Sequence, residues 1–252
     1  MSAFSNIIAQ SQHLNLEKLK EIEHQLEDVM EMMDTCEVKR KINETETAYK
    51  LQPDQINQLR LGIVYHETAL NLSFFEKTTY SGYAKKSFDI LSDLNDNPLV
   101  SPELLPFVAA YRASALSLVS AETKKLRYLN EAFSLFDEAV KQYAGVSYLP
   151  EFLRGSVAEN LPWFLFRKRK YAKNDFQSII EKQERQKDYA GAKIMSFTYW
   201  AWANQRKGKK HRSQAINYLN KAIALDPDYK AGRKKAEDLK NILSAKSNNN
   251  FS

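Results

Sequence analysis

The chain has 252 residues, 43% of them hydrophobic, with seven glycines and seven prolines. So few turn-formers argue against an all-β protein, and the abundance of Leu, Ala, Lys and Glu argues for helix throughout. One cysteine, Cys36, excludes an internal disulfide and a cysteine-built metal cluster, and the net charge of +6 hides an asymmetry.

Residues 1–150 hold 15 Lys and Arg against 21 Asp and Glu, a net −6; residues 151–252 hold 22 against 10, a net +12. The basic half is either a solvated surface or an electrostatic seat for an acidic or phosphorylated partner. There is no uninterrupted run of 18 apolar residues, so no membrane-inserted segment is expected. Met1 to Gln12 has neither the basic start nor the apolar run of a signal peptide, which predicts a cytoplasmic protein, or an exported one if a leader has been removed. Cys36 is expected to be a small core residue.

In chain order, the first helix is expected over 15–35, with Leu19, Ile22, Leu26, Val29 and Met33 as one apolar stripe packing against the first helix pair. A second helix, 38–51, stops before Pro53. Four helix pairs are then read at 54–73 and 81–95, 101–121 and a partner ending at Tyr143, 148–168 and 170–186, and 188–207 and 211–225. Ser101-Pro102 is a typical helix start, and Pro162 should kink or break the helix it falls in. A last helix, 228–243, caps the array before a frayed tail at 246–252.

A recurrent spacing unites the second helix of each pair. Ala215, Leu219 and Ala222 are followed by Pro227; Ala132, Phe136 and Ala139 repeat the spacing; so do Ala84, Phe88 and Leu91, with Pro98 as terminator. Tyr171-Ala172-Lys173-Asn174-Asp175-Phe176 echoes Tyr83-Ala84-Lys85-Lys86-Ser87-Phe88. Leu61-Gly62-x2-Tyr65 supplies a matching first-helix pattern. Together these resemble the tetratricopeptide repeat (TPR), in which small residues let two helices pack closely. The resemblance covers roughly residues 54–245, with strong second helices and long first ones: Tyr65 and Ala84 stand 19 residues apart, wider than in the family. It implies an all-α, TPR-like superhelix of stacked antiparallel helix pairs, with a helical segment 1–53 packed on it and a C-terminal capping helix. It also implies a non-enzymatic scaffold that holds a protein or peptide in the concave groove of its first helices.

Nothing in the motifs argues for an enzyme: there is no Gly-rich phosphate loop, metalloprotease motif, acidic calcium loop or nucleophile elbow. His13, His24, His66 and His211 are scattered, and His66-Glu67 has no nucleophile or second acid spaced beside it. No cofactor and no metal are expected.

Candidate groove residues come from polar groups set in apolar first helices. Arg60, Arg112 and Arg154 each precede a small residue by two positions, with Lys193 a weaker fourth. Either they form a ladder for carboxylates or phosphates, or each pairs with a neighbouring helix. Trp200, Trp202 and Asn204, and Asn160 beside Pro162, are further groove candidates. Two basic runs, Arg167-Lys168-Arg169-Lys170 and Arg206-Lys207 with Lys209-Lys210, are read at turns sharing one edge, as a basic patch. Two alternatives to the scaffold stand beside it: a small-molecule or anion receptor built on Arg112, Arg154 and Asn160, and nucleic-acid binding through the basic half.

Overall fold

The computed structural model describes residues 14–73 and 76–248. The readings of residues 1–12, His13 and the last four residues lie outside the described residues. Among the described residues the chain is helical, with no strand. Clustering in space divides it into two compact units, Met1–Leu153 and Arg154–Ser252.

The first unit opens with α1 (Leu16–Leu26) and α2 (Thr35–Leu51). Asn15 starts α1 by accepting from the amides of Glu17 and Lys18. The stripe continues past the helix, for Leu19, Ile22, Leu26, Val29, Met30 and Met32 are all buried. The expected helix to residue 35 is thus too long, and Met33 is 47% exposed, off the stripe. Beyond α1, Glu31 turns the chain with a positive φ of 51°, and the Asp34 carboxylate caps the amides of Cys36 and Glu37 and begins a new helix within the expected one. Cys36 falls in the solvent-facing first turn of α2 and is exposed, contrary to the expectation of a core residue.

Next come α3 (Gln55–Asn71) and α4 (Tyr83–Asn95), then α5 (Leu105–Thr123) and α6 (Leu126–Tyr143). Each packs mainly on its neighbour in sequence. Ala69, Ala84, Leu116, Val119 and Ala132 form one cluster drawn from all four helices. Helices approach closely where side chains are small: Ser87 Oγ donates to the Gly62 carbonyl at 2.7 Å. A methyl group on Gly62 would sit 2.6 Å from Leu91 Cδ2. Pro102–Thr123 is long and apolar enough to cross a bilayer, but 72% of its apolar window is buried within the protein, as a central helix requires.

α7 (Leu149–Glu159) carries the boundary between the units. Pro162 does break the chain: a 3-10 turn, Trp163–Leu165, separates α7 from α8 (Phe166–Arg185). α8 therefore starts ahead of its expected start at 170. The second unit continues with α9 (Ala192–Gln205), α10 (Arg212–Ala224) and α11 (Arg233–Asn248). α11 begins later than the expected Asp228, because Asp226 instead ties the amides of Lys230, Ala231 and Arg233 into a turn. It also extends into the tail expected from 246. Ala132, Ala139, Ala215 and Ala222, the small residues of the recurrent spacing, are all buried.

Candidate functional site

In the first unit the chain's own N-terminal segment lies on the first helices. Arg60 on α3 takes Asp28 in a two-point grip, Nη1 to Oδ1 and Nη2 to Oδ2, both 2.8 Å, and also donates to the Gln25 carbonyl. Lys41 bonds the same carboxylate. Asn71, at the end of α3, donates to the Met32 carbonyl at 3.1 Å. Glu103, just before α5, holds Lys18 Nζ at 3.1 Å and accepts from the Asn15 amide at 3.4 Å. Tyr148 meets Glu23. The segment 14–33 carries six carboxylates against two lysines; it is held by Asp28 on Arg60, by Lys18 on Glu103 and by Glu23 at Tyr148, with its apolar stripe buried.

Beneath this segment is a buried polar cluster. His66 Nε2 lies 2.8 Å from Ser114 Oγ, and His66 Nδ1 lies 3.2 Å from Glu67 Oε1. Spacing in sequence hid this, since Ser114 comes 48 residues after His66. The order serine–histidine–carboxylate is that of a hydrolytic triad. All three side chains are buried, however, and their bonds join α3 to α5. The Tyr111 ring packs edge-on against His66 at 5.1 Å, with its hydroxyl buried and unpartnered. Burial first, and the Glu67 charge second, push that hydroxyl well above its ordinary pKa.

The other candidate arginines are directed elsewhere. Arg112 Nε donates to Ser92 Oγ on α4 at 3.1 Å, its guanidinium 5.8 Å over Phe88. In the second unit, Arg154 grips Asp175 on α8, Nε to Oδ2 at 2.9 Å and Nη2 to Oδ1 at 2.6 Å, and covers Tyr171 at 4.4 Å. Gly155 lets Phe176 close in: an added Cβ would meet its ring at 3.2 Å. Arg60, Arg112 and Arg154 thus bond to the N-terminal segment, to a preceding helix and to a following helix respectively. Pairing with neighbours, not a shared open row, describes each of them.

Asn160 donates to the Ser156 carbonyl at 2.9 Å, and Asn204 donates to Glu159 at 2.7 Å. Burial raises the Glu159 pKa, against the lowering effect of that bond. Trp202 is buried and donates from Nε1 to Gln177 on α8 at 2.5 Å. Its ring lies under the Arg206 guanidinium at 4.3 Å. Trp200 is half-buried beneath Lys235 Nζ at 4.8 Å.

The basic runs are placed differently from one another. Arg167, Lys168, Arg169 and Lys170 form the first turn of α8 rather than a turn between helices; Arg167 and Lys170 are exposed. Lys207, Lys209 and Lys210 are exposed around the 3-10 turn Lys209–His211. Arg206 is buried, donating to the Lys173 carbonyl at 3.0 Å with Nη1 unpartnered; burial lowers its pKa. That bond joins the second run to the helix that carries the first. Among the described residues, no group of three His, Cys, Asp or Glu side chains is placed to hold a metal ion.

In comparisons with protein-family models, curated proteins and solved structures, nothing matches the chain.

Proposed function

We propose that the protein is a non-enzymatic scaffold of stacked, TPR-like helix pairs that binds an acidic, amphipathic helical segment of a partner protein on the face of its first helices. The observation that carries this reading is the docking of residues 15–32. Asp28 sits bidentate on Arg60 while Leu19, Ile22 and Leu26 are buried, so the face already holds a segment of this chemistry. In the full chain the segment occupies the face, and a partner gains access by replacing it. Its apparent affinity is reduced by the fraction of molecules in which the segment is docked. Burial of the serine–histidine–glutamate cluster favours this over an enzyme. The separate partners of Arg112, Arg154 and Asn160 favour it over a small-anion receptor built on those three.

The test is a titration with a labelled peptide of residues 14–33. A Leu26→Asp, Asp28→Lys variant, whose own segment is loosened, should bind the peptide and protect α3 from hydrogen exchange. The unaltered chain should bind it far more weakly, and a peptide carrying Asp28→Lys should not bind. A folded variant that ignores the native peptide overturns the reading.

A further inference from the structure

A surface in the second unit plays no part in partner binding on the first helices. Between α7 and α8 the chain reads Leu161-Pro162-Trp163-Phe164-Leu165-Phe166, six apolar residues in a row. Trp163 is 81% exposed, Phe164 57% and Phe166 60%. Three large aromatic side chains left in water within four residues are a costly placement unless something covers them. The turn holding them is fixed: the Leu165 amide bonds the Pro162 carbonyl at 3.0 Å, and Arg169 Nη1 donates to the Leu161 carbonyl at 2.8 Å.

Cations come directly after. From Asn160 to Asn174 there are five Lys and Arg and no Asp or Glu. Arg167, Lys170 and Lys173 are exposed and their side chains have no hydrogen-bond or ion-pair partner among the described residues. Arg167, Lys168 and Arg169 stand in the first turn of α8, which has no acidic residue and no side-chain cap. Positive charge there opposes the helix dipole, and an external anion relieves it.

We propose that this tip is a peripheral docking site for an anionic lipid bilayer. Trp163, Phe164 and Phe166 enter the interfacial layer, and Arg167, Lys170 and Lys173 meet the lipid phosphates. Two features select a bilayer over a macromolecular partner. The aromatic side chains are displayed rather than set in a groove, and a fluid interface needs no matching wall. Apolar and basic residues are also segregated along the chain, apolar then basic, in the layered order of acyl chains and headgroups. Single-stranded nucleic acid calls for open ring faces interleaved with cations. Here the Trp163 and Phe164 rings meet edge to face, at 6.2 Å and 84°. Six apolar residues fall far short of the roughly 20 needed to span a bilayer, so the contact is peripheral.

The experiment is flotation of the full chain with phosphatidylcholine vesicles, with and without phosphatidylserine, alongside titration with a single-stranded oligonucleotide. Binding is expected only with phosphatidylserine, to weaken with salt, and to shift Trp163 emission to the blue. Replacing Arg167, Lys170 and Lys173 by Gln should weaken binding about 100-fold together, about fivefold each. Trp163→Ser, Phe164→Ser and Phe166→Ser together should abolish it at unchanged far-ultraviolet circular dichroism. No vesicle binding overturns the proposal. So does full binding by the serine variant, which would mean charge adsorption without insertion. Oligonucleotide binding lost in the same variants, with no vesicle binding, assigns the tip to nucleic acid instead.

Discussion

Arg60 and Asp28 are joined by two parallel bonds of 2.8 Å, one from each terminal nitrogen of the guanidinium to each carboxylate oxygen. They are 32 residues apart and fasten the N-terminal segment to α3. A second carboxylate, Glu103, fastens the start of the same segment.

Acid should release this segment. Burial raises the Asp28 pKa, but the bonds from Arg60 and Lys41 outweigh it and bring it from 3.8 to about 2. Burial likewise opposes, and the Ser101 hydroxyl, its own amide, Lys18 and the Asn15 amide together outweigh it, bringing Glu103 from 4.5 to about 2. Folded-state values below the unfolded ones mean the stabilisation is complete above about pH 4.5 and fades as pH falls towards about 2. Asp28 is half exposed, so the two together contribute only about 2 kcal/mol. Hydrogen exchange in residues 15–32 should accelerate through that window, and Asp28→Asn should remove part of the pH dependence. Identical exchange at pH 6 and pH 3, corrected for the intrinsic rate, would refute the linkage.

Arg154 and Asp175 present the buried counterpart. Asp175→Ala removes the bidentate carboxylate from a buried guanidinium and should destabilise the second unit by about 3–5 kcal/mol. Arg154→Leu with Asp175→Leu should cost distinctly less, because neither member of the pair is left without the other. Urea melts of the three chains check this, and equal losses for the single and double variants would count against it.

Gly62→Ala reverses an ordinary rule. At an open helical site the change stabilises by about 0.5–1 kcal/mol. Here the new methyl would sit 2.6 Å from Leu91 Cδ2 and 2.7 Å from its Cγ, with Leu91 itself buried. The close approach of α3 and α4 should make the net effect a loss of about 1–2 kcal/mol. Adding Leu91→Ala should recover part of it, a coupling that a double-mutant cycle measures.

Legibility in the sequence tracks the range over which each force acts. Helical class and the buried Ala132, Ala139, Ala215 and Ala222 are legible because periodicity is a local property that packing reinforces. Pro162 is legible as a break because its missing amide acts within one turn. The apolar stripe stays buried beyond the end of α1 at Leu26, so spacing alone does not mark where the helix stops and the Asp34-capped helix begins. The destinations of Arg60, Arg112 and Arg154 are least legible. Neighbouring positions on a helix differ by about 100° in direction, so a shared sequence offset need not give a shared face. Ser114 beside His66 is a tertiary fact with no local trace.

Ala215 is buried on α10, where that helix packs between α9 and α11. The α9 contact is tight: Ser196 Oγ donates directly to the Ala222 carbonyl at 2.9 Å. Leucine at 215 would add three carbons at a fully buried position and should cost about 1–3 kcal/mol by forcing the helices apart. Because α10 packs on both neighbours, α11 should lose protection from hydrogen exchange along with α9. Asn217→Leu, on the exposed side of the same helix, is the control and should stay within about 0.5 kcal/mol of the unaltered chain. An unchanged melting temperature for Ala215→Leu, with α11 equally protected, would mean that the small residue does not hold these helices together, and the reading of the chain as stacked pairs would fail with it.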